Sequence, residues 1–189
     1  MPVQPAGRVA GPLLLLLLCA LHASVIRTPL LSAQMHDERL VRAAFVYNLT
    51  KYVSWPRSGN ELVIGVIGEG SMGSLLARRL SGKTTDTRTI RVILAPSRQE
   101  LHRCDIFYYA GESSDSRPAI LTLARENSIL TVGETAAFAR QGGMIGLVRA
   151  GDQIQIHVNL EAVQEAKLKI SAQLLNLSTI ERTGKGVKD

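Results

Sequence analysis

The residues whose types and spacing most invite chemistry are Gly68-Glu69-Gly70-Ser71-Met72-Gly73, a G-x-G-x-x-G run between a candidate strand and a candidate helix. Backbone N–H groups in such a turn can cradle a pyrophosphate at the start of the helix. A dinucleotide site also needs an acidic residue near the end of the second strand to hold the ribose, and the chain carries Ala95-Pro96-Ser97-Arg98 there. The strand before the turn is itself preceded by a long helix, so it is not the first element of its fold. The favoured reading is a tight turn that needs glycine. A nucleotide-binding enzyme using Gly68 to Gly73 is the remote alternative.

Other reactive constellations are weaker. His36, His102 and His157 lie far apart, and His102-Arg103-Cys104-Asp105 is too tight for a closed metal site, so neither metal nor cofactor is expected. Around Ser71 the first glycine of a nucleophile elbow is replaced by Glu69. Asp37-Glu38 suits a helix start, and Glu161 with Glu165 spans one helical turn, both ordinary surface features. Asn48-Leu49-Thr50 and Asn176-Leu177-Ser178 match the glycosylation sequon inside predicted helices and are read as accidents. No acid, base or nucleophile converges, and the expectation is a non-enzymatic protein. Tyr47, Tyr52 and Trp55 cluster at one helix end, where they either seal the core or anchor an interface.

The elements that must position these residues follow an export signal. Arg8 precedes the apolar run Leu13 to Leu21, and no acidic residue comes before Asp37. That run is shorter than the ~20 apolar residues a membrane span needs. Ala23 and Ala33 both offer a small residue for cleavage, and Ala33 is favoured. A lipid anchor on Cys19 is the minor alternative, because Leu18 before it is large. The expected organisation is a signal peptide at 1–33, one domain at 34–181 and a flexible tail at 182–189, with a periplasmic location. Removal of 1–33 takes Arg8 and Arg27 and no anion, leaving 20 Lys and Arg against 16 Asp and Glu. The basic residues, among them Arg78-Arg79, Lys83, Arg88, Arg91 and Arg98, are scattered with no interleaved aromatics, which argues against a nucleic-acid partner. Cys104 is then alone, so no internal disulfide forms, and the apolar run after it predicts burial.

Val41, Ala44, Phe45, Leu49 and Tyr52 recur at helical spacing from Asp37 to Val53, and Pro56 should stop that helix near Trp55. Buried-type strands at 62–67, 89–95, 106–110 and 129–132 alternate with helices at 71–80, 98–103, 117–126 and 136–140. Alternation of this kind predicts a mixed, mostly parallel sheet flanked by helices in a single α/β domain. Strands at 144–148 and 153–160, joined at Ala150-Gly151-Asp152, predict a C-terminal antiparallel hairpin. Its second strand reads as an edge: Ile154, Ile156 and Val158 pack, while Gln155, His157 and Asn159 are wet or meet a partner. A closing helix is expected from Glu161 to about Ile180, with Val163, Ala166, Ile170, Leu174 and Leu177 on one side.

The string Ala43-Ala44-Phe45-Val46-Tyr47-Asn48-Leu49-Thr50-Lys51-Tyr52-Val53-Ser54-Trp55-Pro56 resembles the opening of the YfiR-like family, approximately F-x-Y-N-x-x-K-[FY]-x-x-W-P. Ile129 to Glu134 with Phe138-Ala139 and Gly142-Gly143-Met144-Ile145 is similar to a second family stretch, and Ile156 to Leu160 with Ala166 to Ser171 to a third. The resemblance covers nearly all of residues 38–178. It implies an exported regulator without catalysis, holding the periplasmic part of a membrane-bound diguanylate cyclase or histidine kinase. A second copy of the chain and a small-molecule ligand are the other expected partners. With Cys104 alone, redox control through an intramolecular bridge does not carry over. Tyr47, Asn48, Lys51, Tyr52 and Trp55, with the Gly142-Gly143 turn and Asn159, are the candidate partner-binding residues. For Asn48 and Lys51, bracing the helix end is an equally good reading.

Overall fold

A computed structural model of the chain describes residues 28–68, 70–85, 88–111 and 117–184. The chain divides into two compact units, residues 1–37 and 38–189. Of the first unit the described part is helical backbone from Thr28. The expected signal segment otherwise lies outside the described residues, as do residues 185–189 of the expected tail.

The elements are α1 (Thr28–Tyr52), β1 (Val53–Ser54), β2 (Glu61–Ile67), α2 (Ser71–Leu80), β3 (Thr84–Thr85), β4 (Arg88–Leu94), α3 (Arg98–Leu101), β5 (Ile106–Tyr109), α4 (Arg117–Glu126), β6 (Leu130–Gly133), α5 (Ala136–Arg140), β7 (Ile145–Ala150), β8 (Gln153–Asn159), α6 (Leu160–Glu165), β9 (Lys169–Ile170), α7 (Ala172–Asn176) and β10 (Ser178–Glu181). Eight strands form one sheet in the order β10-β8-β7-β6-β5-β2-β4-β3. Strands β4, β2, β5, β6 and β7 run parallel, and β7 turns back on β8 as the expected antiparallel hairpin. Strand β2 has β4 on one side and β5 on the other, so the chain switches direction across the sheet there. The crossovers then place helices on opposite faces. One face packs Ile64, Tyr108 and Leu130 under α1, α2, α6 and α7. The other packs Val63, Phe107 and Ile129 under α3, α4 and α5. Because both faces are covered, Leu62, Val63, Ile64 and Val66 are all buried, which explains the uninterrupted apolar run.

Three elements depart from the sequence expectation. Helix α1 begins nine residues early, with Pro29 in its first turn, where a missing N–H costs no intrahelical bond. It ends at Tyr52 because Val53 and Ser54 pair with Ile170 and Lys169, so a tertiary partner as well as Pro56 stops it. The single closing helix does not form. Lys167 adopts φ 57°, in the left-handed region, just after α6, and the Ser171 hydroxyl then accepts from Leu174 N at 3.3 Å to start α7. Residues 178–181 pair in parallel with 156–159. A continued helix would have left the backbone groups of β8 unpaired, whereas β10 satisfies them along one side. Leu177, expected in the core, is 72% exposed.

Candidate functional site

At the amino ends of the parallel strands the Trp55-Pro56 segment is pinned to the loop before β5. The Trp55 indole Nε1–H donates to the Asp105 carbonyl at 2.9 Å, and the Arg88 guanidinium lies 5.9 Å from the ring centroid. Asp105 is buried and its Oδ2 accepts from Val63 N and from Arg88 Nη2, both at 2.8 Å. Arg57 donates to the carbonyls of His102 (3.0 Å) and Cys104 (2.6 Å). Cys104 itself is fully buried, and burial first, with the Asp105 charge second, pushes its thiol up to about 12. It is an inert core group at neutral pH.

Arg57, Arg88, Arg91 and Arg103 line one open basin of about 430 Å³ together with the 58–61 loop and Asp105. Arg91 meets Glu61 at 3.3 Å and Arg88 meets Asp105. Among the described residues, Arg57 and Arg103 have no carboxylate at ion-pair distance. Beyond this basin, near the carboxyl end of α1, Tyr47 donates its hydroxyl to Thr84 O at 3.2 Å, while Lys51 and Lys83 stand 4.6 Å and 5.3 Å from its ring centroid. Lys51 and Asn48 are exposed, and Tyr52 is half-buried with its carbonyl accepting from Ser171 N. Tyr47, Lys51 and Lys83 thus form one cationic, aromatic cluster, while Trp55 stands with Arg88 at the basin.

Gly142, Gly143 and Asn159 lie elsewhere. Asn159, at the end of β8, is four strand spacings from β2, about 19 Å. It is fully buried: its Nδ2 donates to Ala139 O at 2.8 Å and to Thr183 Oγ1 at 2.9 Å, and its Oδ1 caps α6 by accepting from Ala162 N. At Gly143 any Cβ would come within 2.2 Å of the Phe138 ring, so glycine there serves packing. Of the strand face expected to be wet, Gln155 is exposed, whereas His157 is half-buried, its Nδ1 meeting Glu181 of β10 at 2.7 Å, and Asn159 is buried.

The carboxyl ends of the strands hold a second arginine cluster of a different kind. Arg42 is buried and bonds Glu38 Oε1 at 2.6 Å, with Glu134 Oε2 at 3.4 Å; Arg149 meets Glu38 at 3.0 Å. The fully buried Tyr108 donates its hydroxyl to Glu134 Oε1 at 2.7 Å, and burial, then the Glu134 charge, holds that phenol well above its usual range. The G-x-G-x-x-G turn lies at this end too. Gly68 has φ 96° and a Cβ there would meet Ala110 O at 2.3 Å, while at Gly73 it would crowd Val66 and Leu94. These glycines have packing reasons that need no nucleotide. Among the described residues no three His, Cys, Asp or Glu side chains gather as metal ligands.

Sequence reasoning missed Arg57, Arg103 and Asp105, and read Arg88 and Arg91 as scattered charge. The signal available was weak: four arginines in three separate segments, brought together only because β4, β2 and β5 are neighbours.

An α/β protein whose sheet is closed at one edge by a terminal parallel strand, with a tryptophan-proline segment anchored under it, is the class defined by this geometry. The model of the YfiR/HmsC-like family matches residues 39–179, and the chain belongs to that family. No curated protein sequence matches it significantly. Among solved structures, it is similar to the ABC domain from Streptococcus pneumonia in complex with L-Trp, at 10% identity and a TM-score of 0.44. That likeness covers 64% of this chain, which spans only 55% of the other.

Proposed function

We propose that this protein is an exported, non-catalytic regulator that binds the periplasmic sensor part of a membrane-bound signalling enzyme, a diguanylate cyclase or histidine kinase, and holds it inactive. The family is regulatory rather than catalytic, and among the described residues no helix is long and apolar enough to cross a membrane. The observation that carries the reading is the cluster of Lys51 and Lys83 on the Tyr47 ring near the carboxyl end of α1. Aromatic side chains flanked by cations are the composition of binding hot spots, and the cations favour an acidic partner surface.

The test places a photo-crosslinking residue at Asn48, which is exposed, and irradiates the protein in its native envelope. Capture of a membrane diguanylate cyclase or kinase supports the reading. A Lys51→Glu, Lys83→Glu double variant, still folded, should lose about tenfold or more in affinity, and an unchanged affinity would remove this surface from the interface.

A further inference from the structure

The basin at the amino ends of β2, β4 and β5 has an unusual charge balance. It concentrates four guanidinium groups, those of Arg57, Arg88, Arg91 and Arg103, against the carboxylates of Asp105 and Glu61. Like charges gathered in a concavity raise its potential and repel one another, which a folded protein has no internal reason to build. Arg57 is fixed there by two backbone carbonyls and not by an acid, so its charge is positioned yet left uncompensated. Arg103 is exposed at the rim, with no ion pair among the described residues. The Nε of Arg57 is buried without a hydrogen-bond acceptor, and that of Arg91 stands 3.3 Å from a Glu61 carboxylate oxygen. Ser58 and Asn60 add neutral polar groups to the same wall.

All four cations are arginine. Its planar fork matches tetrahedral or planar oxyanions by paired N–H donation, where lysine offers a point charge. Two charges remain uncompensated, and a phosphate monoester carries about −1.5 to −2 at neutral pH. The volume of about 430 Å³ falls within the range of small-molecule sites, about 300–1,000 Å³, and exceeds what inorganic phosphate alone fills. The cations converge on one compact concavity and do not form a strip, which fits a concentrated dianion better than carboxylates spaced along an acidic peptide.

We propose that this basin binds the phosphate monoester group of a small organic ligand or of a lipid headgroup. The site stands apart from the docking surface at Tyr47 and Lys51, and its test does not depend on any protein partner.

Trp55 is the only tryptophan in the chain and sits over Arg88 at the basin's edge, so its fluorescence reports occupancy. Purified protein is titrated with glycerol 3-phosphate and inorganic phosphate, with sodium chloride at matched ionic strength as control and calorimetry on the same samples to register binding that leaves the fluorescence unmoved. A saturable response to the phosphates that chloride does not reproduce is expected. Arg103→Ser and Arg91→Gln, at positions with little internal bonding, should each weaken it about tenfold. Sedimentation with phosphatidylcholine vesicles, with and without phosphatidic acid, separates the sources. Co-sedimentation only with phosphatidic acid assigns a lipid headgroup, and phosphate binding without sedimentation assigns a soluble ester. The proposal is overturned if chloride gives the same response, if no heat or fluorescence change occurs at millimolar phosphate, if both variants bind as the parent does, or if a tetraglutamate peptide binds as tightly as the phosphates.

Discussion

The two ends of the parallel strands handle arginine in opposite ways. At the carboxyl ends Arg42 is buried against Glu38 and Glu134, and Tyr108 completes the set, so each charge is answered inside the fold. At the amino ends Arg57 is answered by carbonyl dipoles and Arg103 by solvent. The first arrangement serves stability, because a buried charge is tolerated only when paired. The second leaves unused charge where a partner can reach it. The contrast separates structural from functional arginines without reference to any other sequence.

The largest way to break the contrast is Arg42→Ala. It leaves Glu38 and Glu134 short of their buried cation and should cost about 3–5 kcal/mol, read from the denaturant midpoint. A loss below about 1 kcal/mol would mean that this network contributes no more than a surface pair. Next is Asn159→Ala, which removes a helix cap and leaves Ala139 O and Thr183 without a donor. About 2–3 kcal/mol of stability should go, while the folded fraction binds any partner normally. A selective loss of binding instead would return Asn159 to the functional surface.

Alkaline titration probes the wall between Trp55 and Arg57. Cys104 titrates at about 12 when folded and near 8.5 when unfolded. The folded state therefore holds its proton longer, and the resulting stability is fully present below about pH 8.5 and is lost as pH rises toward 12. Cys104→Ala should flatten that part of the stability profile, and alkylation of native protein should stay slow at neutral pH. If native Cys104 alkylates at the rate of a free thiol, the packing behind Arg57 is looser than described. The smallest effect is Arg103→Ser, expected to change stability by less than about 0.5 kcal/mol. A larger loss would show that this charge has an internal role and does not belong with the unused set.

Much of the fold was legible because buried parallel strands leave a plain signature. Leu62 to Ile67 and Ile106 to Tyr109 are apolar runs of strand length, and the hairpin from Ile145 to Asn159 announces itself through Gly151. The end of the chain misled for a definite reason: Val163, Ala166, Ile170 and Leu174 fall at helical steps although Lys167 breaks the helix between them without a glycine or proline. Only Ser171, a cap residue in mid-pattern, hinted at the restart. The helix-end aromatics of the candidate site were visible as a local cluster. Its arginines were not, because what joins Arg57, Arg88, Arg91 and Arg103 is strand order, a property no local window carries.

Strand β10 gives the molecule a timetable as well as an edge. It is the last described strand, yet it completes the sheet beside β8 by pairing Ser178 with Ile156 and Glu181 with Asn159. A chain emerging amino end first, from a ribosome or through a translocation pore, therefore displays β8 as an open template until Glu181 is out. The sheet cannot be completed before residues 178–181 arrive, and its edge beside β8 stays uncovered until they do.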